Sequence, residues 1–343
     1  MALTPDPTSD VSITGTGSYL PSRRISSEDM ESNLGLPMGW IAQRTGVIER
    51  RVAEADEATS DLATTAAREA LAAAKVKAVD IDLLLLATST PDSPLPATAC
   101  IVQHNLHATN VATVDINAVC TGFVYALDIA QKMLRCDAHA RHALVIGADT
   151  YSRILDYQDR RTSVLFGDGA GAVVLSRQPD GGQVRYTQLG SDGALADYVR
   201  IVGGGSRRPL TTETLTAGEQ YFRMDGRAVK SFVHDRLPQF VREALVNQAL
   251  VPNDIDVFVP HQANVRILED VTKAVGLSQD QLAVTADRYG NTGAASIPIT
   301  LDQVVATGRL KNGGRVLLAG FGGGMTWGTA VLEWPQSAPT MAS

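Results

Sequence analysis

Two glycine-rich segments, VLFGDGAGAVVLS at 164–176 and LAGFGGGMTWGTAVLE at 318–333, stand late in the two halves of this 343-residue chain. Each reads as a strand, a glycine hinge and a second strand, so the chain is expected to be one duplicated unit. The turn residues of QPDGGQ set the boundary near 180–185, giving halves 1–183 and 184–343. Within the first half, strand-type apolar runs at 11–17, 81–88, 111–117 and 142–149 alternate with amphipathic stretches. Ser60 is placed to cap a helix whose Leu62, Ala66, Ala70, Leu71 and Ala74 share one face. The second half repeats the scheme, with helices expected at 226–250, 264–275 and 294–307 around a strand in DVFVPHQ at 256–262. The fold class is therefore α/β. Residues 198–219, with no clear period, read as a surface excursion.

Apolar residues at 44% and charged residues at 20% describe an ordinary globular chain. No apolar run reaches the roughly 18 residues of a membrane span, and MALTPDPTSD lacks the basic and apolar regions of a leader, so a cytoplasmic protein is expected. A net charge of -7 argues against nucleic-acid binding by counterion release. Cys100, Cys120 and Cys136 form no C-x-x-C pair and are expected as reduced thiols. His104 and His107 make an H-x-x-H with no further ligand beside it, which reads as helix surface rather than a metal site.

The chemistry concentrates at three positions. In DINAVCTGFVYAL, Cys120 falls between a β-rich run and an apolar-periodic helix, so its thiol belongs at a helix N-terminus. The helix dipole supplies only about 0.3–1 kcal/mol, while each pKa unit needs about 1.4 kcal/mol, so a second group must assist ionisation. His261 is the candidate, because it ends the apolar strand DVFVP, where a loop residue lines a crevice. Asn291, after Gly290, reads from local sequence alone as a turn or cap residue.

WIAQRTGV at 40–47, DINAVCTGFVYAL at 115–127, LFGDGAGAVVL at 165–175, VPHQANVRI at 259–267, YGNTGAASIP at 289–298 and GFGGGMTWG at 320–328, in that order, resemble the type III beta-ketoacyl-acyl carrier protein synthases. The resemblance spans about residues 11 to 334 and implies the internally duplicated, five-layered α-β-α-β-α thiolase-like fold. It makes Cys120 the acyl-carrying nucleophile, with His261 and Asn291 completing a triad. Loss of carbon dioxide from a malonyl thioester leaves charge on the thioester oxygen, and His261 Nε2–H and the Asn291 amide are the donors that hold it. The resemblance assigns the oxyanion hole of the acyl-transfer steps to the backbone N–H groups of Cys120 and Gly323. Trp40, Arg44 and Arg160 correspond to residues binding coenzyme A, and Gln262, Asn264 and Arg266 to those meeting the carrier protein.

The same resemblance implies acyl-CoA and acyl carrier protein as partners, a homodimer and no cofactor. No dinucleotide or P-loop motif is present to argue otherwise. Leu95 stands where the family often has phenylalanine closing the partner's acyl pocket, so a roomier pocket favouring chains beyond acetyl is expected. Thr121 replaces a smaller family residue and is expected to narrow the pocket mouth. The triad argues against thiolases and elongating synthases, which lack the asparagine. Acyl transfer to oxygen or nitrogen, and a non-catalytic partner role, are the competing readings.

Overall fold

The structure, a computed structural model, describes residues 10–178, 181–311 and 313–334. The leader reading at the N-terminus, and Pro179 and Asp180 of the expected boundary turn, lie outside the described residues. Nine strands build the main sheet: β1 (Ser12–Tyr19), β2 (Leu83–Ala87), β3 (Ala112–Ile116), β4 (His142–Asp149), β5 (Gly169–Ser176), β6 (Gly182–Ser191), β7 (Val257–Pro260), β8 (Arg315–Gly322) and β9 (Thr326–Glu333). Six helices pack on it: α1 (Thr59–Ala74), α2 (Thr98–Asn105), α3 (Gly122–Cys136), α4 (Gly226–Asn247), α5 (Val265–Ala274) and α6 (Ser296–Ala306).

The spatial order is β7-β8-β9-β6-β1-β5-β4-β2-β3. Its two arms repeat one pattern. In the first arm β2 runs parallel to β3 and β4, while β5 is antiparallel to both β4 and β1. In the second, β7 is parallel to β8, and β9 is antiparallel to both β8 and β6. The counterpart of β3 is reduced to a parallel bridge between Phe258 and Leu282. Two residue pairs, Ser12 with Gln183 and Ile13 with Gly182, join the arms.

Alternation along the buried strands distributes the helices into layers. Leu84, Leu86, Leu144 and Ile146 face α1 and α2, whereas Leu83, Leu85 and Val145 face α3 and α6. From the other arm, Val257, Val259, Val316 and Leu318 close on the same α3 and α6, and Phe258, Leu317 and Ala319 turn outward to α4 and α5. The result is five layers, α-β-α-β-α.

Two local expectations change. Helix α1 starts at Thr59, and the carboxylate that accepts the Ala58 N–H, at 2.8 Å, is Asp61. Ser60 is already inside the helix, so it is not the cap. In the 164–176 segment only 169–176 is strand; residues 164–168 turn away because buried Asp168 holds them, accepting the N–H groups of Ala53 (2.8 Å) and Ser152 (2.9 Å). That turn carries Phe166 toward Asn291, with which it forms an isolated bridge.

Candidate active site

Cys120 lies in a 3-10 turn, Val119–Thr121, that leads into α3. Val119 adopts φ +49°, a left-handed conformation that costs a β-branched residue on the order of 1–3 kcal/mol. The Asn117 side chain accepts the Val119 N–H at 3.2 Å and supports this strained turn. Opposite, the hinge between β8 and β9 packs directly on it. A Cβ on Gly322 would sit 2.8 Å from the Cys120 nitrogen, so only glycine allows the two backbones to meet. Thr121 does not narrow the mouth. It is fully buried, and its hydroxyl accepts from Thr326 Oγ1 at 3.0 Å, so it braces the glycine hinge from beneath.

His261 leaves the end of β7, where its N–H donates to Ala319 O at 2.8 Å. Asn291 follows Gly290 and is only 5% exposed. Cys120, His261, Asn291 and Gly323 line one cavity of about 40 Å³, walled by Phe166, Phe222 and Phe321. Residues from both arms of the sheet thus meet at a single point.

The orientation of Asn291 follows from its hydrogen bonds. Its Oδ1 accepts the Gly293 N–H at 2.9 Å, which assigns Nδ2 as the free donor. Gly293 has φ +58°, and a Cβ there would lie 2.2 Å from Asp149 Oδ2. Asp149, at the end of β4 and fully buried, anchors this loop: Oδ2 accepts the Ala294 N–H at 2.7 Å, and Oδ1 accepts from Ser89 N (2.8 Å) and Thr90 Oγ1 (2.9 Å). Burial raises the Asp149 carboxyl to about 6.

Electrostatically the site is a neutral pair. Burial pushes the Cys120 thiol up to about 12, with Asp149 adding to the rise and a hydrogen bond from Tyr151 opposing it. Burial lowers His261 to about 3. Burial thus favours a neutral thiol and a neutral imidazole, so a nucleophilic Cys120 would shed its proton only as a bond to sulfur forms.

An aromatic cluster walls the small cavity on one side. Tyr151 stacks on Phe166 with centroids 4.4 Å apart, and Phe222 meets both edge-on. Leu95 itself is 85% exposed and is not among the residues around its own chain's Cys120.

Trp40, Arg44 and Arg160 come together, with the two guanidinium carbons 4.3 and 5.9 Å from the Trp40 ring centre. The HQAN residues separate by role. Gln262 is wholly buried: it donates to Pro260 O (2.8 Å) and Ala283 O (3.1 Å), and accepts from Thr285 N (2.8 Å) and Ala286 N (3.2 Å). With no exposed surface and every bonding position filled, it cannot touch a carrier protein, which corrects its assignment. Asn264 caps α5, accepting the N–H groups of Arg266 and Ile267. Arg266 is exposed and pairs with Glu269 at 3.2 Å.

Sequence reading passed over Asp149, Tyr151, Phe166, Phe222 and Ser296. Asp149 carried one available signal, a carboxylate closing the apolar run HALVIGAD. Among the described residues, no group of three or more His, Cys, Asp or Glu is placed to hold a metal, and no helix is long and apolar enough to cross a membrane.

Two family models match the chain: 3-Oxoacyl-[acyl-carrier-protein (ACP)] synthase III over residues 114–193 and its C-terminal part over 245–334. The Acetoacetyl CoA synthase NphT7 of Streptomyces sp. (strain CL190) is 48% identical over 324 residues, covering 94% of this chain and 98% of that protein. A Beta-ketoacyl-[acyl-carrier-protein] synthase III of Caldanaerobacter subterraneus subsp. tengcongensis is 44% identical over 324 residues, with the same coverage of 94% and 98%. Among solved structures, 3-oxoacyl-[acyl-carrier-protein] synthase III from Aquifex aeolicus VF5 superposes with TM-score 0.86 at 38% identity, covering 94% of this chain and all of that one. The priming beta-ketosynthase of the R1128 polyketide pathway gives 0.89 at 31% identity, covering 98% of both chains. On these matches the chain belongs to the beta-ketoacyl-acyl carrier protein synthase III family of acyl-transferring condensing enzymes, with the thiolase-like fold.

Proposed function

We propose that the protein takes an acyl group from acyl-CoA onto Cys120 and condenses it with a malonyl thioester, losing carbon dioxide, and that it works as a homodimer. The observation that carries this reading is the Asn291 amide. Because Oδ1 is engaged by Gly293, the nitrogen is available to hold an enolate oxygen beside the neutral ring of His261. A scaffold protein has no need of a donor so fixed at the bottom of a buried cavity. Cys120 N–H and Gly323 N–H serve the tetrahedral intermediates, as the close backbone packing of the glycine hinge on Cys120 supports.

The arginine-flanked Trp40 suits an adenine ring with phosphates alongside, the recognition that coenzyme A requires. Edge strand β3 and exposed Leu95 form the two-fold contact in this reading. The relatives' names carry an acyl carrier protein in one case and acetoacetyl-CoA in another, so malonyl carrier protein and malonyl-CoA are both proposed as extenders, and exposed Arg266 is the proposed carrier contact. The deciding experiment is intact-protein mass spectrometry after incubation with acetyl-CoA, followed by malonyl-CoA or malonyl carrier protein. Wild type should gain and then lose one acetyl group, and Cys120→Ala should gain none. Absence of an adduct with any acyl-CoA would overturn the reading.

A further inference from the structure

The two half-reactions ask opposite things of one imidazole, and this inference rests on the function proposed above. Acylation needs a bare Nε2 to take the Cys120 proton, with the ring's own proton on Nδ1. Decarboxylation needs Nε2–H as a donor, with Nδ1 bare. Asn291 has no such problem, since its amide is a donor throughout.

His261 Nδ1 lies 2.7 Å from the hydroxyl of Ser296, the first residue of α6, and both residues are 1% exposed. The same hydroxyl accepts the Gln262 N–H at 3.3 Å, which fixes its position. The His261 ring is otherwise enclosed, with Phe321 edge-on at 5.0 Å. A carboxylate behind a histidine can only accept and would keep the proton on Nδ1. A hydroxyl has one donor and two acceptor sites, so it can accept a hydrogen bond from Nδ1–H or donate one to a bare Nδ1 while its oxygen stays in place.

We propose that Ser296 is a positioning residue that lets His261 change tautomer between the two half-reactions. In acyl transfer, the Cys120 proton passes to Nε2 as sulfur bonds the acyl carbon. The thioester carbon–sulfur bond breaks, and the departing coenzyme A thiolate takes that proton from Nε2. Exchange with water then moves the ring's single proton from Nδ1 to Nε2, and Ser296 turns from acceptor to donor. In condensation the malonyl carbon–carboxylate bond breaks, and its electron pair enters the enolate held by Nε2–H and the Asn291 amide. When the enolate carbon attacks the acyl carbonyl and Cys120 leaves as thiolate, Nε2 gives its proton to sulfur as a solvent proton reaches Nδ1, so the ring stays neutral. That is the one proton that loss of carbon dioxide from the malonyl carboxylate consumes, and the starting form is restored.

The test separates the half-reactions in the full-length protein, using intact mass for acetylation of Cys120 and product formation from malonyl thioester for condensation. Ser296→Asp should leave acetylation within about 3-fold of wild type and cut condensation about 100-fold, because an acceptor-only partner removes the Nε2–H donor. Ser296→Thr should keep both steps, whereas Ser296→Ala should slow condensation. Independently, nitrogen-15 spectra of wild-type His261 should report the Nδ1–H form in the free enzyme and an increased Nε2–H population once Cys120 is acetylated. That measurement decides the matter if Ser296→Asp does not fold. Equal losses in both steps for Ser296→Asp, a threonine variant no better than alanine, or an unchanged tautomer on acetylation each overturn the proposal. A wild type that forms no adduct overturns the function itself, an outcome distinct from all of these.

Discussion

Replacing Asn291 separates its chemical role from its structural one. The side chain lines the cavity, and Oδ1 accepts the Gly293 N–H at 2.9 Å, which leaves Nδ2 as the donor in the proposed reaction. Asn291→Ala loses both. Removing one preorganised donor costs about 10²–10³ in rate, or about 2.7–4 kcal/mol of barrier, and this loss should fall on condensation alone. Leaving the buried Gly293 N–H without a partner costs about 1–3 kcal/mol of stability. Asn291→Asp at pH 8 keeps an acceptor for Gly293 but offers no donor, so it should recover part of the stability while condensation stays as slow or slower. Urea unfolding measures the first quantity, and single-turnover product formation from the acetylated enzyme measures the second, with mass spectrometry recording acetylation separately. Condensation at the wild-type rate in Asn291→Ala would refute the assignment, as would acetylation falling in step with condensation in a variant that remains folded.

Three further outcomes are expected. Because the Cys120 thiol is raised to about 12, its alkylation by iodoacetamide should climb steadily from pH 6 to 9; a plateau with a midpoint near 7 would instead reveal a thiolate–imidazolium pair. The 40 Å³ cavity should give acetyl-CoA a higher acylation rate than hexanoyl-CoA, and Phe222→Val should narrow that gap by about 10-fold or more through the volume it frees; equal wild-type rates for the two donors would refute the tight-pocket reading. Arg266→Glu should raise KM for malonyl carrier protein by about 10-fold and leave acetylation by acetyl-CoA unchanged, since a charge reversal on an exposed helix acts on docking; equal loss with both substrates would remove Arg266 from the docking surface.

Much of the fold was legible because buried strands announce themselves by composition. HALVIGAD coincides with β4 from end to end, and the parallel endings of the two halves anticipated a repeated strand order. Segment 164–168 was misread because its apolar residues serve a turn pinned by Asp168, and such a tie between residues 53, 152 and 168 has no local signature. The site divides in the same way. Cys120, His261 and Asn291 stood out through their motifs, and they share a cavity. Gln262 was misassigned because a polar residue in a strand-end loop shows no sign that four backbone groups await it. Ser296 escaped notice because a serine opening a helix is expected to serve the helix, and its distance from His261 is set by how α6 packs beside β7.

The middle helical layer bears on how the chain acquires its shape. Helices α3 and α6 come from opposite halves, yet each is covered by strands of both, so neither half can exclude water from its inner face without the other. A chain cut at residue 183 should yield two sticky fragments that regain order only on association. Intact, it should lose its structure in one cooperative transition, with the catalytic cavity vanishing at the same denaturant concentration as the sheets on either side.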